Sequence, residues 1–506
     1  MKKLHLILFL IIPVSFFAQD YPLTGHFQNL NEEDIYYNDV STLIRPTTGV
    51  ENQVFDSLIF TTQKYEDVSW LKRKLFHEHL LVQEDERFKI ILDPIFDFRF
   101  NSTISGKNDE FGYLNTRGVL LQGNLDSRIY FNTSFYENQG VFPEHIERFY
   151  NTFNIIPGYG RIKPLTVYNG YDFSAAYGNI SLRATDKLNF TLGYDRLFIG
   201  DGYRSVILSD FSAPMMYFKT NARIWKFEFN SIYSKALNPN FNNVSNLLEE
   251  TSINSRYPAK IVSYNTLSYK LKGWNFSLIE ILLMTEDMPG WQKLTNYASP
   301  FFRGFYSNMN TSYANDLAGL NISWQSKNKG IVYSQFLIDR LDGFKDSYAF
   351  QIGYKDFDFL NVKNLYFQME YNMVGADTYT FYDGELHYSH YNQALAHPAG
   401  NDFSEFLVVG AYSYDKFQLV AKLNFLKIGN QNIFDFYAED GYYNLATASK
   451  PLIISGDLQL IYHLNKTNRM QVFVGISPRI DFERNDDSYF AQIGFRTAIR
   501  TNYYDF

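Results

Sequence analysis

Three histidines, His387, His390 and His397, fall within the stretch ELHYSHYNQALAHP. Three imidazoles can hold a transition metal where an ordered element fixes their spacing. No helical period surrounds them, so the stretch reads as an aromatic surface loop with scattered histidines. Asp383 and Glu385 of the same loop have the side chains of a glycosidase pair, yet carboxylates in connecting loops are ordinarily solvated. A third candidate is GDGYRSVILSD, Gly200 to Asp210. It has two glycines of a dinucleotide fingerprint, but Ser205 stands where the third belongs and no βαβ pattern frames it. The chain has no GxSxG, HExxH, P-loop or paired-cysteine motif. The expectation is a protein that is not an enzyme and uses no metal or cofactor.

The turn chemistry of Gly200 to Asp210 fits a different task. Gly200 and Gly202 permit a tight bend, Arg204 can pair with Asp201 or Asp210, and Val206 to Leu208 can pack back against a wall. Such a segment folds inward between two strands. Its charges then serve either as an ion-pair lock or as contacts for a glycan or a partner.

The elements that must position this segment begin with an export signal. Lys2 and Lys3 precede an apolar run from Leu4 to Phe17, and Ala18 offers a small residue for cleavage, although Phe16 is larger than cleavage prefers. No Cys follows the run, which excludes a lipid-anchored lipoprotein. No later run approaches the roughly 20 apolar residues of a spanning helix, which excludes a helical inner-membrane protein. The chain has 506 residues, no Cys and 18% aromatics, with 47 Phe and 40 Tyr. Stability therefore comes from burial and hydrogen bonding without disulfides. A net charge of -8 with no basic block excludes a nucleic-acid partner.

From Phe88 onward, segments of strand length alternate apolar and polar residues, the period of a strand with two unlike faces. In LYFQMEYNMV, Leu365, Phe367, Met369, Tyr371 and Met373 oppose Tyr366, Gln368, Glu370 and Asn372. IWKFEFNSIYSK, KFQLVAKLNFLK and NRMQVFVGI repeat the scheme. Counting such segments gives about 18, an even number, each long enough to cross a bilayer at a tilt. Short connections (ATDK at Ala184, KG at Lys272, KNKG at Lys327, NKT at Asn465) alternate with long ones (Glu137 to Tyr171, Ala236 to Ala259, Thr285 to Tyr313, Gly375 to Asp402, Gly429 to Pro451). The fold class predicted is all-β, a transmembrane antiparallel barrel with periplasmic turns and external loops. Arg99, Lys226, Glu228 and Arg496 then line the interior, because a charge facing lipid at the midplane costs roughly 2 to 4 kcal/mol. Phe506 is an aromatic terminus of the kind many barrels present to their insertion machinery.

Three parts follow: a signal peptide over 1–18, a periplasmic segment over 19–87, and the barrel over 88–506. The periplasmic segment contains WLKRKLFHEHLLVQ from Trp70, which with the preceding Val68 puts Val68, Leu71 and Leu75 at helical spacing, and a weaker helix over Val54 to Phe60.

GDGYRSVILSD, SFYENQGVFP at Ser134, WLKRKLFHEHL and IILDPIFDFRF at Ile90 together look like the RemB-type gliding-motility proteins, a family related to the Wzi capsule-assembly family. The likeness runs from Leu43 into the later strands and is strongest up to Lys226. It implies an 18-stranded outer-membrane barrel with a helical element on the periplasmic side and no enzymatic activity. Capsule-type relatives hold exported polysaccharide at the surface; gliding-type relatives support cell spreading. For a glycan or partner the candidate contacts are Glu137, Asn138, Gln139, Asp201, Tyr203 and Arg204, since aromatic faces and bidentate polar groups suit sugars. Expected partners are outer-membrane lipid, surface polysaccharide, the insertion machinery, and gliding or secretion proteins. Two other readings share the composition: a general porin or small-molecule channel, and a secreted soluble β protein that binds or cleaves glycans.

Overall fold

The structure is a computed structural model. It describes residues 43–46, 67–105, 110–126, 128–153, 155–160, 162–165, 170–237, 259–286, 314–326, 329–339, 347–381, 385–432, 452–482, 487–497 and 503–505. The signal-peptide residues, the Val54 to Phe60 helix and Asp383 lie outside the described residues.

Eighteen antiparallel strands close into a barrel. They are β1 (Phe88–Ser105), β2 (Glu110–Leu125), β3 (Ile129–Gly140), β4 (Gly170–Thr185), β5 (Leu188–Asp195), β6 (Met215–Ile224), β7 (Phe227–Leu237), β8 (Ala259–Leu271) and β9 (Trp274–Thr285). The circuit continues with β10 (Ala314–Gln325), β11 (Gly330–Asp339), β12 (Tyr348–Asp356), β13 (Leu365–Val374), β14 (Phe403–Tyr414), β15 (Phe417–Ile428), β16 (Leu452–Asn465), β17 (Met470–Asp481) and β18 (Ser488–Arg496). Each pairs with its successor, and β18 returns to β1 with Ser488 opposite Ser105 and Arg496 opposite Asp97. Closure leaves no exposed sheet edge, the condition for placing strands in lipid.

The alternation read from the sequence is the alternation of the wall. Tyr366, Gln368, Glu370 and Asn372 of β13 are buried inside, while Met369 and Tyr371 are exposed outside. Phe417, Leu419, Ala421, Leu423 and Phe425 of β15 all face out. With Leu192, Leu278, Phe336, Ile352 and Leu458 they make an apolar belt far larger than a soluble protein exposes. Loop length sorts by rim. One rim has turns as short as Lys272–Gly273, where both residues take positive φ (47° and 86°) as a two-residue hairpin turn requires. At the other rim the strands are separated by longer stretches of sequence, 141–169, 238–258, 286–313, 375–402 and 429–451 by number. Aromatic pairs mark the short-turn rim, including Trp274 with Trp324 at 6.0 Å and Phe417 with Tyr462 at 5.0 Å, an interfacial girdle.

Several details differ from the sequence reading. Trp225 and Lys226, expected to continue the alternation of a strand, form the turn between β6 and β7, with Trp225 at φ 57°. The N-terminal helix, α1 (Trp70–Phe76), buries none of its residues, so Leu71 and Leu75 do not form a docked stripe. Polar contacts fasten it instead: Asn465 Nδ2 donates to the carbonyls of Lys74 and Glu78, and Thr467 Oγ1 to that of His77. The connection after β3 holds a second helix, α2 (Glu144–Phe153), whose Ile146, Phe149 and Phe153 are buried.

The last strand also stops early. Thr497 caps the ladder, its hydroxyl accepting from Phe96 N–H at 2.9 Å beside Pro94, which has no donor of its own. Below that point a short strand, Leu81–Asp85, pairs with Phe88–Leu92 and completes this side of β1. Residues 503–505, the described part of the chain after Thr497, belong to no wall strand. Of these, Tyr503 and Asp505 are buried.

Candidate functional site

The GDGYRSVILSD segment lies inside the barrel and is bolted to five successive strands. Asn321 of β10 donates to Asp201 Oδ2 at 2.9 Å. Gln335 of β11 receives Val206 N–H at 3.0 Å and gives its own N–H to the Ile199 carbonyl at 2.9 Å. Gln351 and Lys355 of β12 donate to the carbonyls of Arg204 and Asp201, at 2.9 and 2.7 Å. Glu370 of β13 accepts the backbone N–H groups of Tyr203 and Arg204 at 2.8 and 3.1 Å, and the Tyr333 hydroxyl at 2.8 Å. The glycines follow from this crowding. At Gly200, φ +146°, a Cβ would come within 2.3 Å of Gln335 Nε2; at Gly202 it would come within 2.5 Å of Glu370 Oε2.

Arg204 is the centre of the assembly. Its Nη2 lies 3.3 Å from Glu405 Oε1 on β14 and 3.0 Å from Asp505 Oδ1 of the C-terminal tail. The guanidinium also sits over the rings of Tyr503 and Tyr203, at 4.9 and 5.3 Å, each a cation–π contact. Lys422 of β15 holds the other Asp505 oxygen at 2.7 Å. Burial by itself disfavours the charge on Arg204, but Asp505 and then Glu405 outweigh it and hold the group protonated, well above the ordinary arginine value. Burial would likewise raise the Asp505 pKa, but Arg204 and Lys422 hold it well below the usual carboxylate range.

The tail is tied at several further points. The Asp505 carbonyl accepts from Asn424 Nδ2 at 2.8 Å and Ser455 Oγ at 3.2 Å, on β15 and β16. Tyr503 donates its hydroxyl to Asp210 at 2.7 Å, and His145 of α2 meets the Tyr504 carbonyl at 2.9 Å. A segment from the long-loop rim and a tail from the short-turn rim thus meet within the lumen and share one ion-pair network.

An apolar core covers the network on the long-loop side. Val206, Ile207 and Leu208 are fully buried, and their cover is largely another loop. Tyr379 donates its hydroxyl to the Val206 carbonyl at 2.5 Å and Tyr388 to the Ile207 carbonyl at 2.7 Å. Phe211 packs edge-on against Phe149 of α2 at 6.4 Å. The three histidines of this region serve the same packing. His390 Nδ1 accepts Leu237 N–H at 2.9 Å, and His397 Nε2 meets Glu405 Oε2 at 2.6 Å while its Nδ1 accepts Ala399 N–H at 3.1 Å. Burial, aided by Lys260, pushes the His390 pKa down to about 4. His387 Nε2 lies 2.7 Å from the Phe381 carbonyl. Among the described residues no group of three or more His, Cys, Asp or Glu could hold a metal ion.

The contact candidates read from the sequence separate into two sets. Asp201 and Arg204 are fully buried in the lumen and Tyr203 is half-buried beside them. The partners of Arg204 are Glu405 and Asp505, not the expected Asp201 or Asp210, which are engaged by Asn321 of β10 and by the Tyr503 hydroxyl. Glu137, Asn138 and Gln139 lie on β3 and not in the connection after it. Glu137 faces out, and Asn138 is buried between Thr116 Oγ1 and the Phe173 carbonyl, at 2.8 and 3.2 Å. The two sets do not form one surface. Glu370, Glu405, Lys422 and Asp505 were missed. The first two announced themselves only as carboxylates on inward strand positions, and the tail read as an insertion signal.

The closed barrel has a solved structural counterpart. The chain is similar to Wzi. That protein is described as an outer-membrane protein involved in group 1 capsule assembly in Escherichia coli and as a carbohydrate-binding β-barrel; the superposition covers 96% of this chain and all of that one, at 13% identity and a TM-score of 0.57. OccK7 (OpdD) of Pseudomonas aeruginosa, with TM-score 0.42, 8% identity and 81% and 99% of the two chains covered, is a more distant likeness. So is OccAB4 of Acinetobacter baumannii, at 0.44, 10%, 82% and 98%. No protein-family model and no curated sequence matches the chain. At 13% identity the likeness to Wzi establishes the fold: the chain has the fold of an outer-membrane β-barrel.

Proposed function

We infer that this protein is exported to the outer membrane and acts there without catalysis, holding or organising surface polysaccharide in the manner of a capsule-assembly barrel. The carrying observation is the Arg204 network, which spends a loop, a tail and seven strands, β10 to β16, on filling the lumen. A passive channel needs that space open. A holder of surface polymer needs only a rigid wall and a fixed outer rim. The carbohydrate binding and capsule role described for Wzi support this reading. The RemB-type motifs support a neighbouring role in gliding, in which the same rigid rim anchors machinery for cell spreading. Insertion machinery, surface glycan and gliding or secretion proteins are the partners this reading requires.

The deciding experiment is a gene deletion scored for capsule stain and for colony spreading, beside planar-bilayer conductance of the purified protein. Loss of capsule retention identifies the polysaccharide role, and loss of spreading with capsule intact identifies the gliding role. A steady large conductance with neither phenotype would make the protein a channel.

A further inference from the structure

Beneath the Arg204 network, toward the short-turn rim, a second cationic cluster lines the wall where β16, β17, β18 and β1 meet. His463, Gln471 and Arg496 lie in one row across the strands, each opposite the next, with Asp97 completing it. The adjacent row brings Phe473, Gly494 and Arg99 together. Both guanidiniums face the Phe473 ring, Arg99 at 5.6 Å and Arg496 at 4.1 Å from its centroid. The ring lies this close because position 494 has no side chain: a Cβ there would be 2.9 Å from it.

The cluster is incompletely satisfied. Arg99 has Asp97, whose two oxygens take its Nε and Nη2 at 2.7 and 2.5 Å. Arg496, only 4% exposed, donates Nη2 to the neutral amide of Gln459 at 3.0 Å, and its Nε has no partner. His463, 8% exposed, leaves Nε2 without a partner in the same row. The carboxylate of Asp457, on β16 as well, is occupied by Gln459 Nε2 and Ser477 Oγ, each at 2.8 Å. Gln492, also buried, has an unpartnered carboxamide oxygen, and turning that amide over presents an N–H instead. A buried guanidinium beside a second one, with no carboxylate of its own, is a costly arrangement unless something anionic completes it. A planar or tetrahedral oxyanion suits it, because a guanidinium offers such groups paired donors.

We propose that Arg496 and His463, backed by Arg99 and Phe473, form an anion-binding site in the lower lumen that takes a phosphate or a carboxylate group. The inference does not rest on the polysaccharide reading, since it is argued from wall residues of β16, β17, β18 and β1 alone. It gives the short-turn side of the barrel a ligand of its own, either a phosphate-bearing group or an acidic sugar.

The test is calorimetric titration of the full-length protein in detergent with inorganic phosphate, with glucuronate and with uncharged glucose. Saturable binding of one anion and not of glucose is expected. Phosphate alone identifies a phosphate-bearing ligand, glucuronate alone an acidic sugar, and both the shared oxyanion chemistry. Arg496→Gln should weaken binding at least tenfold and His463→Gln several-fold, with the unboiled, faster gel mobility of a folded barrel retained. No binding of either anion overturns the proposal, as does wild-type affinity in a folded Arg496→Gln. Should that variant fail to assemble, unchanged affinity in His463→Gln overturns it instead.

Discussion

Arg204 shows how one residue can be legible in type and illegible in partner. Its place beside two glycines and two aspartates announces a locked turn, and Asp201 and Asp210 are the counter-charges that lie close in sequence. The lock is real, but its carboxylates lie 201 residues away at Glu405 and at the chain terminus in Asp505. No spacing rule connects residues so far apart; only the closed circuit of strands does. Because the group is 1% exposed, removing it takes a buried cation from two buried carboxylates, leaving Glu405 with His397 and Asp505 with Lys422. Arg204→Ala should therefore cost about 3 to 5 kcal/mol, the usual penalty for breaking a buried pair from one side. Arg204→Lys keeps the charge and should recover part of it. Thermal melts in detergent check the magnitude, and bilayer recordings check the consequence: a closed wild type and a conducting Arg204→Ala. A silent Arg204→Ala of wild-type stability would remove the network from its central role.

At the scale of elements, the strands were readable because two solvents act on one chain. Lipid outside and a polar interior force period-two alternation, so β13 and β15 could be oriented residue by residue. Segments that touch neither lipid nor wall carry no such signal. The helix α2 was passed over although Ile146, Phe149 and Phe153 stand at helical spacing, because ten residues in a long connection look like loop. The terminal Phe506, read as an insertion signal, lies outside the described residues, while Tyr503 and Asp505 before it are buried in the lumen. A stop codon after Thr497 separates the two roles. We expect the shortened chain to assemble, since β18 ends at Arg496, and to lose the Asp505 contacts. The measurable result is faster proteolysis of the 196–214 loop in a chain with folded gel mobility. Loss of the protein from the membrane would instead make the terminus an insertion signal.

The same loops should respond to acid. His390 accepts a backbone N–H through Nδ1, so protonation breaks that bond, and its pKa is lowered to about 4 in the fold against roughly 6.5 when unfolded. The unfolded chain therefore binds the extra proton first. This stabilising contribution is complete above pH ~6.5 and is lost as pH falls toward ~4, a loss on the order of 3 kcal/mol for a shift of this size. His145, pushed down to about 3 mainly by burial and then by Arg479, adds in the same direction at lower pH. Protease protection of 375–402, followed from pH 7 to pH 4, should fall along this window. His390→Gln should flatten the upper part of the curve, and an unchanged curve would show that the loop is held by other means.

The whole molecule is organised inside out relative to a soluble domain. Its apolar side chains form two separate bodies, a belt on the outside of the wall and a core within the lumen, divided by a polar inner lining that holds the plug. Each body answers a different solvent, which gives a direct way to tell them apart. Leu423 stands exposed near the middle of β15, between Lys422, which reaches inward to Asp505, and Asn424, which holds the Asp505 carbonyl. Leu423→Arg should cost roughly 2 to 4 kcal/mol in a bilayer, the midplane value for arginine on a lipid face. In detergent micelles, where headgroups and water come closer, the same variant should be destabilised less. Lys422→Leu acts on the other face: it frees one Asp505 oxygen and should lower stability in bilayer and micelle alike, with increased conductance. Urea titrations of gel mobility in both media measure the four values. If Leu423→Arg were neutral in the bilayer, the outer belt would not be facing lipid, and the barrel would have to be explained as a sheet closed in water.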